Sequence, residues 1–322
     1  MNGEFIEVPL MNCRRIMRKK NNPGLKEYYN RKLSNHYVDY PVNEDMPLME
    51  FLMKVMSGAS RTKVKELLTQ RMVYVDHIIT TQYNHPLKKG QLVQIIKRRN
   101  IYELNNPYVS VVYEDMFLIV VEKKEGIITS EPRGARMNSV KKILNEYVKH
   151  KSQSFSVHLV HRLDRETSGL LVFAKNRDVQ KQFIDFWHDI VSDRRYAAVV
   201  EGKVERNADT VISWLTEGRN FTMESSPVDN GGQQAITHYR VVRRNDKYSL
   251  MDLKLDTGRK NQIRVHMNVI GHPVVGDMKY GAEQDPVGRV MLHAYKLEFV
   301  HPVTHEHLKF EIPLPEEFEQ LI

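Results

Sequence analysis

The sequence predicts an α+β protein, a mixed and largely antiparallel β-sheet domain with packed helices, preceded by a small α+β domain. Three observations predict it. Beyond Pro107 the segments VSVVYEDMFLIVVEKK, LLVFAK, RRYAAVVEG, ITHYRVVRR and YSLMDLKL are each rich in the β-branched and aromatic residues that suit a pleated surface. Helical periodicity falls between some of these runs rather than replacing them, which implies strands and helices packed in one domain. Ahead of Asn105 the order is instead helix, helix, strand, and a chain of 322 residues is long enough for two units.

The elements follow in chain order. Residues 1–42 carry Arg14, Arg15, Arg18, Lys19 and Lys20, then Asn-Asn-Pro-Gly, with no sustained apolar period, and read as a basic arm. Residues 43–105 read as the small domain. Leu48, Phe51, Leu52, Val55 and Met56 form the i, i+3, i+4, i+7, i+8 stripe of an amphipathic helix. After a Ser-Gly break, Ser60 is placed to cap a second helix, whose Val64, Leu67 and Leu68 face a core while Arg61, Lys63 and Lys65 point away. Val73 and Val75 then alternate with Tyr74 and Asp76, and LKKGQLVQIIKRR supplies a glycine turn and another strand. Residues 106–322 read as one larger domain. Within it Val179, Phe183, Phe186, Trp187 and Ile190 share a helical face, which predicts a helix directly after LLVFAK.

Composition narrows the function. No apolar run approaches the roughly 18 residues needed to span a bilayer, and the N-terminus lacks a signal-peptide core, so a cytoplasmic protein without a membrane partner is expected. Cys13 is the only cysteine, which excludes an internal disulfide and a thiolate zinc site. The net charge is +8, and residues 1–105 hold 18 Lys/Arg against 10 Asp/Glu while the remainder balances at 30 against 30. Such an asymmetry suits a polyanion, because basic side chains release counterions condensed on phosphates, although a merely solvated basic surface has the same charge count.

The chemistry-bearing segment is VHLVHRLDRETSGLLVFAKN, Val157 to Asn176. It sets His161, Arg162 and Asp164 in a polar run between two apolar runs, a loop between strands. A carboxylate flanked by arginines is expected to stay ionised. On residue chemistry alone a structural ion pair in a turn outweighs catalysis. However, HRLDRETSGLLVFAKN resembles the HRLD-x-x-T-S-G signature of the pseudouridine synthases that modify ribosomal and transfer RNA. RRYAAVVEG, AITHYRVV, LDTGRKNQIRVHMNVIGHPVVGDMKYG and LHAYKLEFVHP match further blocks in the expected order, so the resemblance spans residues 107–322. SRTKVKELL, MVYVD and LKKGQLVQI are similar to a small RNA-binding domain found in a small-subunit ribosomal protein and appended to many RNA-modifying enzymes.

The resemblance implies the roles. Asp164 matches the catalytic aspartate, which detaches uracil from N1 so that it rejoins through carbon 5. Arg264 matches the arginine that pairs with that aspartate, and Tyr196 the active-site tyrosine that stacks on uracil and helps move the carbon-5 proton. Arg162 matches the arginine that enters the space left by a flipped nucleotide, a step required because both faces of the base must be reached. Arg259 and Lys260, beside a Thr-Gly turn, read as phosphate contacts or as solvated charges; Arg61, Lys63 and Lys65 read as RNA-binding. Two positions depart from the family pattern: Asn261 stands where histidine is usual, and Lys124 where a proline is usual, which leaves the RNA groove near those loops open.

Other chemistries fit less well. His158 with His161, and His301 with His305 and His307, lack an acidic ligand in a zinc spacing. A Ser168, His161, Asp164 triad has no G-x-S-x-G elbow. The rival from another class is a non-catalytic RNA-binding or ribosome-assembly protein, which would not need to retain Asp164, Tyr196 and Arg264 together. No cofactor is expected for a redox-neutral isomerisation. The expected partner is RNA bound by a monomer, large-subunit ribosomal RNA first and transfer RNA second.

Overall fold

The computed structural model describes residues 37–70, 72–76, 78–96, 104–132, 134, 137–151 and 155–322. The basic residues of the predicted arm lie outside them. The chain divides into two compact units, one within Met1–Ile101 together with Asp185–Asp189, the other within Tyr102–Ile184 and Ile190–Ile322.

The first unit contains β1 (Tyr37–Pro41), β2 (Met46–Pro47), α1 (Leu48–Val55), α2 (Arg61–Thr69), β3 (Val73–Val75), β4 (Ile78–Ile79), β5 (Pro86–Leu87) and β6 (Leu92–Ile96). Its sheet runs β1-β6-β3-β4. The predicted helix stripes bury Leu48, Phe51 and Leu52 from α1 and Val64, Leu67 and Leu68 from α2 against Val73, Val75, Val93 and Ile95. Ser60 caps α2 as the sequence predicts, its Oγ accepting from Lys63 N at 3.1 Å. One boundary differs. Tyr37–Pro41, read as the end of the arm, forms β1 and pairs antiparallel with β6 along its full length. Five residues ending in proline carry no apolar period, so only the partner strand reveals this edge.

The second unit contains β7 (Val109–Glu114), β8 (Leu118–Lys123), α3 (Val140–Lys151), β9 (His158–Leu159), β10 (Ser168–Ala174), α4 (Arg177–Asp185), α5 (Trp187–Ile190), β11 (Val191–Glu201), β12 (Ala208–Glu217), β13 (Met223–Ser226), β14 (Gln233–Arg244), β15 (Tyr248–Leu255), α6 (Gln262–Val269), β16 (Leu292–Val300), β17 (His307–Glu311) and α7 (Glu316–Gln320). The last residue of α4, Asp185, and the first three of α5 belong to the other unit. One mixed sheet runs β13-β12-β14-β15-β11-β16-β10-β8-β7, with β17 added to β16 and β9 to β10. Every described pairing in it is antiparallel except β10 with β16. The α3 stripe of Val140, Ile143, Leu144, Tyr147 and Val148 packs into the same core as strand residues Ile119, Val121, Leu171 and Phe173. Each such side chain, fully buried, contributes about 1.5–3 kcal/mol.

The parallel junction positions the loop before β10. Gly169 pairs with Ala294 and has φ +117°, and a Cβ there would stand 2.2 Å from the Ala294 carbonyl oxygen. No side chain fits, which accounts for glycine in the T-S-G triplet. The single helix predicted after LLVFAK is instead α4 and α5, interrupted at Phe186, which is exposed. The second of these helices ends at Ile190, and the chain passes directly into β11 at Val191.

Candidate active site

Asp164 lies in the loop joining β9 to β10, where its carbonyl oxygen accepts from Thr167 N at 3.2 Å and closes the turn. Its carboxylate Oδ2 accepts the backbone N–H of Asn261, also at 3.2 Å. That amide points inward because Asn261, just ahead of α6, adopts a left-handed conformation with φ 53°, a region asparagine tolerates better than most residues. The Asn261 side chain donates from Nδ2 to Tyr280 Oη at 2.9 Å and accepts at Oδ1 from Arg264 Nη1 at 3.1 Å. The departure at 261 is thus a structural element of the site.

Arg264 is in the first turn of α6 and is buried, which removes the reading of a surface helix residue. Its direct partner is not Asp164. Nε and Nη2 donate to the two Asp277 carboxylate oxygens at 2.6 and 2.7 Å, and Nη1 reaches Glu166 at 3.1 Å. This corrects the expected ion pair: a fork that already holds Asp277 bidentately has no second fork for Asp164, so Arg264 acts on it through space. The guanidinium also lies 4.9 Å from the Tyr280 ring centroid. α6 itself is clamped by His266, whose Nδ1 contacts Thr237 Oγ1 at 2.8 Å and whose Nε2 contacts Ser213 Oγ at 2.9 Å. Burial pushes that imidazole down to about 4, so it clamps as a neutral ring.

Burial raises the Asp164 pKa above the ordinary carboxylate value, and Glu166 adds to the rise. The charges of Arg264 and Arg162 and the Asn261 amide oppose it without cancelling it. The flanking arginines therefore do not hold the Asp164 pKa below its ordinary value, since the nearby cations offset only part of the cost of desolvation.

Tyr196, on β11, is 5% exposed, and its ring centroid is 5.9 Å from the Arg194 guanidinium carbon. Its pKa is raised, by burial first and then by the Asp164 charge, with Arg194 opposing. In the free protein the phenol stays protonated, suited to stacking and proton donation more than to abstraction. Arg162 is exposed and lines a recess of about 230 Å3 with Ile128, Thr129 and Met137. Arg259 donates from Nε to the Gln234 carbonyl at 3.0 Å, and Lys260 pairs with Glu217, so neither is a simple solvated charge. Arg61, Lys63 and Lys65 are exposed on α2 of the other unit, with Lys63 paired to Glu66 at 3.2 Å.

Several contributors went unrecognised in the sequence. Asp277 and Tyr280 stood inside a matching block without a role, and the signal available was the single carboxylate between Gly276 and Gly281 in GDMKYG. Lys123, fully buried at the end of β8, donates to the carbonyls of Lys124 and Arg165 at 2.8 and 3.2 Å and so pins the residue after Asp164. Burial lowers its pKa to about 8, although Glu125, Glu166 and Asp164 favour its charge. The other departure is also used: Lys124 N donates to the Tyr108 carbonyl at 2.8 Å, a bond proline lacks. No hydrolase triad forms, since Ser168 Oγ contacts His293 Nδ1 at 2.8 Å while His161 Nε2 accepts from Val172 N at 3.2 Å.

Residues 117–269 match the family described as RNA pseudouridylate synthase. The ribosomal large subunit pseudouridine synthase D of Neisseria meningitidis is 34% identical over 84% of this chain and 76% of its own. The chain belongs to the RNA pseudouridine synthases. A Bacillus subtilis relative, the uncharacterized RNA pseudouridine synthase YjbO, is 36% identical over 66% of this synthase and 75% of its own length. Among solved structures, Human RNA Pseudouridylate Synthase Domain Containing 1 superposes with a TM-score of 0.52 at 27% identity, covering 66% of the synthase and 85% of that chain. The synthase is thus an isomerase that acts on RNA. No helix among its described residues is long and apolar enough to cross a membrane.

Proposed function

We propose that the synthase converts specific uridines of large-subunit ribosomal RNA to pseudouridine, with Asp164 as the catalytic aspartate, Tyr196 against the uracil ring and Arg264 as the buried charge that steadies Asp164. The observation that carries this reading is the setting of Asp164: a desolvated carboxylate on a turn, held by one backbone amide, with the Arg264 and Arg162 charges and the Tyr196 phenol around it. A carboxylate so placed is reactive because few groups solvate it. Arg162, exposed two residues earlier, is available to fill the stack when the target nucleotide leaves it.

The ribosomal target rests on the similarity to a large-subunit enzyme and on the basic excess of residues 1–105, which suits a large structured RNA. Arg61, Lys63 and Lys65 contact phosphates in this reading, and Arg259 and Lys260 do so beside Asp164. The protein works as a cytoplasmic monomer. The test is pseudouridine mapping of total RNA from a strain lacking the protein, complemented with wild type or Asp164→Asn. Ribosomal sites that return only with wild type support the reading. Sites restored in transfer RNA alone refute the proposed target, and sites restored by Asp164→Asn refute the proposed chemistry.

A further inference from the structure

The tip of the β12–β13 hairpin sets a bulky, exposed aromatic residue where the tight turn takes positive φ. Asn220 and Phe221 both have positive φ, 64° and 57°, and Phe221 is 75% exposed. Asparagine accepts that conformation, but for a bulky aromatic residue it is an outlier, and glycine there would relieve it. A lone exposed apolar side chain needs no explanation, whereas an exposed ring held on a strained backbone at the end of a hairpin does.

The surroundings of the ring are cationic. Lys260 Nζ lies 6.0 Å from its centroid, Lys279 Nζ donates to the Phe221 carbonyl at 3.2 Å, and Arg219 is exposed beside it. Two carboxylates lie beside it as well: Glu217 pairs with Lys260, and the Glu224 side chain packs against Gly218. The tip is also connected to the carboxylate. Met223 N, two residues beyond Phe221, donates to Tyr280 Oη at 3.1 Å; Asn261 Nδ2 donates to the same oxygen, and Asn261 N donates to Asp164. Lys260 and Lys279 are the chain neighbours of Asn261 and Tyr280. An exposed aromatic ring with one lysine near its centroid and another at its backbone carbonyl suits a single-stranded nucleotide, because every base has a π-face and every linkage a negative phosphate.

We propose that the hairpin tip Gly218–Thr222 reads the RNA beside the reacting uridine, Phe221 stacking on a neighbouring unpaired base while Lys260 and Lys279 hold its phosphates. Glu217 keeps Lys260 in place until the phosphate competes for it. The proposal rests on the reading that Asp164 marks the uridine site, and it adds a specificity element outside that site.

The test uses the full-length protein with two probes, unmodified large-subunit ribosomal RNA transcribed in vitro and a short single-stranded oligouridylate carrying one 2-aminopurine. Wild type is expected to quench 2-aminopurine on binding. Phe221→Gly, which relieves the backbone, and Phe221→Leu, which keeps apolar bulk, each weaken oligonucleotide binding and raise KM by about 10-fold, with kcat changing far less. Phe221→Trp restores both. Lys260→Gln with Lys279→Gln lowers the slope of log K against log salt by about 1.4 for two single-strand phosphates. KM and quenching unchanged in Phe221→Gly and Phe221→Leu overturn the proposal and leave the ring to a protein partner. Quenching that depends on Phe221 in a protein that modifies no ribosomal uridine refutes the proposed function and leaves the stacking platform standing.

Discussion

Replacing Asp277 by asparagine removes one charge from a buried ion pair beside Asp164 and keeps the side chain nearly isosteric. Arg264 and Asp277 have side-chain exposures of 5% and 0%, and they share two hydrogen bonds of 2.6 and 2.7 Å. Breaking a buried pair by neutralising one member costs about 3–5 kcal/mol, since the remaining charge is left desolvated. Here the cost falls near the lower limit, because the asparagine oxygen still accepts one guanidinium N–H and Glu166 and Asn261 still hold Nη1. A loss of about 3 kcal/mol in a unit of this size lowers Tm by about 6–12 °C. The second effect is electrostatic. Without Asp277 the Arg264 charge acts on Asp164 with less compensation, so the Asp164 pKa falls and the acidic limb of kcat/KM moves to lower pH. Thermal unfolding and a pH profile on ribosomal RNA measure both. A variant that melts within about 2 °C of wild type, with its acidic limb in place, refutes the view that Asp277 anchors the charge that tunes Asp164.

Asp164→Asn abolishes pseudouridine formation and, because the folded-state pKa of Asp164 is raised, makes the protein more stable at neutral pH. The sign follows from linkage: stability associated with a raised carboxylate is present below the unfolded-state value and lost as pH rises through the folded one, so the charge at pH 7 is a cost that asparagine removes. Denaturant unfolding at pH 7 decides it, and a less stable variant contradicts the assignment. Lys123 is the opposite case, with a folded pKa of about 8 against an ordinary 10.5. Its desolvated charge costs stability below about pH 8, and the cost is relieved as pH rises towards 10.5, so the stability of wild type relative to Lys123→Gln should grow over that window by up to about 3 kcal/mol. A pH-independent difference rules this out. Replacing Arg61, Lys63 and Lys65 together by glutamine should reduce the salt dependence of RNA binding by about 0.9 for each phosphate no longer neutralised, with single-turnover chemistry at saturating RNA retained. Collapse of the chemical step would instead place α2 in the reacting complex.

Much of the fold was legible because it is local. The α1 and α2 stripes, the Ser60 cap and the strand runs of the larger unit depend on side-chain period and capping chemistry, which lie within a few residues of each other in the chain. The break at Phe186 and the strand at Tyr37–Pro41 were not legible. The strand is set by its partner β6 and not by its own composition, and the apolar period that runs from Val179 to Ile190 carries no mark of the break.

For the site, the sequence by itself placed Asp164 on a polar turn before a buried strand and set Tyr196 and Arg264 in separate blocks that match the family. Only the tertiary structure decided how these groups act on one another. Asp164 takes its amide from a residue 97 positions away, and Arg264 takes as its fork partner a carboxylate 13 positions on rather than Asp164. Burial then sets the direction of the Asp164 pKa against the cations that a reading of its neighbours had favoured. The reason is physical: residue type specifies which charges and donors exist, while desolvation and partner choice depend on distances that exist only after distant segments have packed.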